Sequence, residues 1–152
     1  MTRTSIAIAA AAILVLGAGL VLFRSTGAHR AGPSDARQVA RGAAVYADRC
    51  AVCHGRDLEG QPNWQARKAD GLLPAPPHDA TGHTWHHPDA QLFAITKFGL
   101  VPPIAPEGYR SEMPAFAATL SDDDIWAVLA YIESRWPADI RDRHRQIDAA
   151  AR

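Results

Sequence analysis

At 152 residues the chain has room for one domain of ordinary size with appendages, and hardly for two. Sixteen Lys+Arg balance sixteen Asp+Glu, which removes the basic signature of a nucleic-acid binder, and an apolar fraction of 47% excludes a disordered chain. The two cysteines, Cys50 and Cys53, are too few and too close together for a disulfide framework, while 11 Gly and 11 Pro point to long irregular segments.

The first feature along the chain is Ile6 to Phe23, an 18-residue run without a charge. As a helix it reaches roughly 27 Å, close to the ~30 Å of a hydrocarbon core. Residues 1–24 are therefore read as a retained single-span anchor. A cleaved signal peptide is the alternative, with Thr26-Gly27-Ala28 as an imperfect cleavage site. The polar, breaker-rich stretch that follows makes residues 25–36 a linker, and from residue 25 onward the net charge is −2.

The pattern next predicts a helix from about Asp35 to Arg49, capped by Asp35, with Val39, Gly42, Ala43 and Tyr46 on one face. Gly42 on that stripe is either a site of close helix approach or simply tolerated, at about 1 kcal/mol relative to Ala. Cys50-Ala51-Val52-Cys53-His54 follows directly. Two thiols three residues apart at a helix end can each add across a haem vinyl group, and the adjacent His54 is carried beneath the iron; this is the attachment pattern of c-type haem. A thioredoxin-like reading needs a βαβ setting that the sequence lacks. A structural zinc site needs a second ligand pair at finger-like spacing, and the downstream histidines do not supply one.

Between Gln61 and Pro88 lies a long segment rich in Pro and His, and four of the seven histidines fall within His78–His87. Its composition hints at a second metal site, but no thiol or carboxylate stands with the imidazoles in a recognisable pattern. The favoured expectation is that Trp85 and one or more of these histidines hydrogen-bond haem propionates or pin the loop beside them; a solvated polar loop is the alternative. A second helix opens at Pro88, carries Leu92, Ile95 and Thr96 on one side and stops at Gly99.

The loop Leu100–Phe116 contains Met113, the only thioether beyond the apolar run, in Ser111-Glu112-Met113-Pro114-Ala115-Phe116. No apolar periodicity explains it, so Met113 is the candidate sixth ligand opposite His54; a histidine in its place is a minor alternative. His/Met ligation raises the reduction potential and suits electron transfer. Lys97 and Arg110 are weaker candidates for pairing propionates or a partner's acidic rim. A third helix is capped by Ser121 with Asp124 in a capping box, carries the stripe Ile125, Val128, Leu129 and Ile132, and ends at Pro137. Residues 138–152, rich in acids and arginines, read as a charged C-terminal tail forming a frayed surface helix. Strand signals are nearly absent, so the fold is expected to be all-α. Three modest helices supply little core, which leaves room for a large apolar cofactor.

Residues 37–137 resemble a class I cytochrome c, the small monohaem electron carriers. The resemblance rests on the Cys50–His54 pentapeptide after a helix bearing Gly42 and Tyr46, on Met113-Pro114-x-Phe116, and on Leu129-Ala130-Tyr131-Ile132. It implies three main helices and long loops around one covalent haem c, held by Cys50, Cys53, His54 and Met113. It also implies that the first and last helices cross closely through Gly42, Tyr46, Val128 and Tyr131. The expected function is a one-electron carrier cycling Fe(III)/Fe(II), not an enzyme; the alternatives are a haem-bearing subunit of a larger membrane oxidoreductase and a haem ligand sensor. The expected partners are redox proteins in or at the membrane. The expected location is the bacterial cytoplasmic membrane, with the haem domain facing the periplasm. The long middle segment and the tail after Pro137 depart from the family's pattern.

Overall fold

The computed structural model describes residues 30–152. The apolar run Ile6–Phe23, and with it the anchor expectation, lies outside the described residues; among those described, no helix is long and apolar enough to cross a membrane.

Asp35 begins the first helix as expected: its carboxylate accepts from the amides of Arg37 and Gln38, satisfying two of the unpaired donors of a helix start. Helix α1 runs Ala36–Val45 and then does not simply continue. Tyr46–Cys50 forms a π-turn, closed by the Ala51 amide donating to the Tyr46 carbonyl, before a short α2, Ala51–His54. A π-turn inserts an extra residue per turn and re-aims every side chain beyond it, which is why such turns recur at functional sites.

Helix α3, Asp89–Phe98, starts after Pro88 and ends where Gly99 takes a φ of 81°. Helix α4, Asp122–Ser134, has the full capping box: Ser121 Oγ accepts from the Asp124 amide, and the Asp124 carboxylate accepts from the Ser121 amide. The packing of α1 against α4 dominates the molecule. A Cβ on Gly42 would lie 1.9 Å from the Ala127 carbonyl oxygen, so this glycine is required by the close approach of two backbones. The Tyr46 and Tyr131 rings meet at 5.3 Å at the same crossing. Arg41 on α1 donates to Asp124 at 2.8 Å, which ties the crossing to the α4 cap.

The core forms two clusters. One gathers Tyr46, Leu58, Val128, Ile132, Trp136 and Ile140; the other gathers Leu92, Ile125 and Leu129, bordered by the stacked Phe93 and Trp126. The described residues are all-helical, without strands.

The segment after Pro137 corrects the expectation of a frayed surface helix. Ala138–Ala150 forms α5, with Ile140, His144 and Asp148 buried. Ile140 belongs to the Tyr46 cluster, and α5 packs on the 3-10 turn Thr84–His86. Its apolar positions are sparse because polar side chains, not a hydrophobic stripe, form much of its buried face.

Candidate functional site

The pentapeptide lies on the π-turn and α2. Cys50 is half-buried and Cys53 exposed, and neither is in a disulfide. Burial, followed by the neighbouring Cys53, pushes the Cys50 thiol up to about 11. Val52, between them, is 84% exposed, so the turn presents one face to solvent and buries the other.

His54 is on the buried side. Its Nδ1 lies 2.8 Å from the Pro76 carbonyl, which can only accept; Nδ1 therefore carries the proton and Nε2 keeps its lone pair. Burial holds the imidazole below its ordinary pKa, against the opposing effect of that hydrogen bond, so the neutral ring is favoured. The backbone behind it is fixed as well. The Tyr46 hydroxyl donates to the carbonyls of Gly55, at 2.9 Å, and His54, and the Gly60 amide donates to the His54 carbonyl. Gly60 has a φ of 68°, and a Cβ there would lie 2.4 Å from the Pro77 nitrogen, so the Pro-rich segment runs directly against this loop.

The His78–His87 segment pins that loop. The His78 ring stacks on His54 with centroids 3.9 Å apart, its Nδ1 lies 2.8 Å from Thr84 Oγ1, and its carbonyl accepts from Trp136 Nε1. His83 stacks on Trp64 and meets the edge of His87. These imidazoles are spread over separate contacts and do not converge as a metal-ligand set.

Trp85 packs against the same cluster as Cys50. Its Nε1 is buried and has no hydrogen-bond partner. Indole N–H groups usually find an acceptor when buried, so this donor is chemically suited to an acceptor on a bound group. Met113 sits on a different element, the loop between α3 and α4. It is half-buried, and its amide donates to Ser111 Oγ at 3.0 Å. That loop is fastened to the end of α3 by the Phe116 and Ala117 amides, which donate to the Thr96 and Lys97 carbonyls. The two cations of lower expectation have protein partners: Lys97 pairs with Asp122 at 2.6 Å, and Arg110 donates to the Asp70 carbonyl.

Two unpaired thiols, an imidazole with a free Nε2 and an orphaned indole donor form a donor set that fits a c-type haem. Sequence reasoning missed the Pro76 carbonyl, and it included His78 among the loop-pinning histidines without its stacking on His54, since neither a backbone acceptor nor a stacking partner 22 and 24 residues away leaves a local pattern.

A family model described as "Cytochrome C oxidase, cbb3-type, subunit III" matches residues 37–132. No solved structure matches the chain.

Proposed function

The chain belongs to this family of c-type cytochromes, which carry covalent haem c, and from that membership we propose that it is a one-electron carrier whose iron would be held by His54 and Met113. When bound, haem c supplies reversible one-electron chemistry between Fe(III) and Fe(II). The observation that carries the reading is the state of His54: buried, neutral, oriented by Pro76, with Nε2 as its one nitrogen free for a metal.

The chain's own residues have separable tasks. Cys50 and Cys53 would hold the group covalently. The Tyr46 hydroxyl fixes the backbone that carries His54, so the ligand is positioned with little reorganisation. Trp85 Nε1, buried without a partner, would donate to a haem propionate. Met113 would supply a thioether, a soft ligand that favours the reduced ion and raises the potential. The carrier binds no substrate and catalyses no reaction of its own.

Residues 1–24 anchor the protein in the bacterial cytoplasmic membrane, residues 25–36 link, and residues 37–137 form the haem domain on the periplasmic face, followed by residues 138–152. Tethering raises the effective concentration near redox partners in or at the membrane. The test is a redox titration of the purified holoprotein followed by absorbance. A single reversible one-electron wave supports the carrier, and irreversible or substrate-dependent turnover contradicts it.

A second reading is favoured by the family's description: the chain serves as the haem-bearing subunit of a larger membrane oxidoreductase. Co-purification of a stoichiometric partner from detergent-solubilised membranes supports it, and recovery of the cytochrome alone supports a free carrier.

A further inference from the structure

Three helices bring Asp89, Glu133 and His144 together inside the protein: the first residue of α3, the last turn of α4 and the middle of α5. All three are buried, Glu133 at 6% and His144 at 2% exposure. His144 Nε2 lies 2.9 Å from Asp89 Oδ1 and 3.8 Å from Glu133 Oε1, and the three ligand atoms fall within 4.8 Å of one another. On the other side of the ring, His144 Nδ1 lies 3.1 Å from the Trp85 carbonyl, which only accepts. Nδ1 therefore carries a proton, and Nε2 is left facing the two carboxylates. Glu133 Oε1 is buried and has no hydrogen-bond partner.

Two positive charges are needed to neutralise this cluster. Two protons, one on Nε2 and one on Glu133, meet the charge requirement. The second proton can be shared between the Glu133 and Asp89 carboxyl groups, so protons and a metal ion compete for this cluster. A divalent cation neutralises both carboxylates and uses the orphaned oxygen. We propose that Asp89, Glu133 and His144 form a binding site for a divalent transition-metal ion of the Zn2+ class.

One imidazole with two carboxylates is a borderline donor set that suits zinc better than calcium or magnesium. Bonds of about 2.0–2.1 Å in a tetrahedron put neighbouring ligand atoms roughly 3.4 Å apart, and the separations of 2.9 and 3.8 Å bracket that value. A water or the second oxygen of a carboxylate completes the four. The outer shell is in place: a backbone carbonyl on the far nitrogen of the imidazole, the Trp136 ring against His144, and Asp148 accepting from the Asp89 amide. The site ties α3, α4 and α5 to the turn that carries Trp85, and it stands independently of how the haem iron is ligated.

The test is equilibrium dialysis of the EDTA-treated, buffer-exchanged holoprotein against Zn2+, with metal content measured by mass spectrometry and thermal stability followed in parallel. One Zn2+ per chain and a Zn2+-dependent rise in Tm are expected. Glu133→Gln and His144→Gln should each lose this binding by more than the roughly 10–100-fold that outer-shell changes cause. An unchanged haem spectrum in the variants shows that they are folded; should one fail to fold, Asp89→Asn takes its place. His83→Gln/His87→Gln should bind like the parent. No stoichiometric binding by the parent, undiminished binding by Glu133→Gln, or loss in the His83/His87 variant instead would overturn the assignment.

Discussion

The state of His54, the candidate iron ligand, is set by groups that are not candidates themselves. A histidine beside two cysteines is a candidate by pattern, and it is oriented for that role because the Pro76 carbonyl accepts from its Nδ1–H and burial keeps the ring neutral. The motif was therefore legible in five residues, whereas its orienting partners were not, because Pro76 and His78 are brought in by the course of a long loop. Trp85 was legible as a candidate only through its donor, and its buried, partnerless Nε1 is the feature that suits a propionate. Met113 was reached by elimination. Replacing Met113 by Ala should leave the haem covalently attached but lower the potential and let carbon monoxide bind the ferrous iron; an unchanged potential and no carbon monoxide adduct would remove Met113 from the ligand set.

Among the elements, α4 was the most fully readable, because its signals are local: Ser121 and Asp124 box its start, and its apolar stripe is buried. Removing the cap with Ser121→Ala should cost about 1 kcal/mol in denaturant unfolding. Asp124 is held below the ordinary carboxylate range first by the Ser121 hydroxyl and then by Arg41. A lowered pKa in the folded state means that its contribution is present above the unfolded value, near 3.8, and is lost as pH falls through the folded one. Asp124→Asn should therefore weaken the parent at neutral pH and flatten its loss of stability below about pH 4. The π-turn after α1 left no sequence signal, since its residues are ordinary helix formers and only tertiary contact selects the extra residue. Gly42 was ambiguous in sequence because close approach and tolerance look alike; the 1.9 Å separation decides it. Gly42→Ala should destabilise by about 3 kcal/mol or more, at the upper end of overpacking effects, because the obstacle is Ala127 backbone rather than a movable side chain. A shift below about 1 kcal/mol would mean the helices can separate freely.

At the scale of the molecule, the all-helical class and the long loops followed from composition and the absence of alternation, but the role of α5 did not. A helix that buries His144 and Asp148 while exposing arginines reads in sequence as solvated, and its inward face becomes apparent only against Asp89, Glu133 and Trp85. Ending the chain after Pro137 strips Ile140 from the Tyr46 cluster and uncovers Trp136; it should cost more than about 2 kcal/mol of stability, measured by denaturant unfolding, where a frayed tail would cost nothing. The apolar core is divided into two clusters, and the donors on the π-turn and α2 fit a large cofactor. The most direct test of that account is the absorption spectrum of the reduced full-length protein, recorded before and after addition of carbon monoxide. The account predicts a low-spin, six-coordinate c-type spectrum that carbon monoxide leaves unchanged; a high-spin ferrous haem that binds carbon monoxide at once would contradict it.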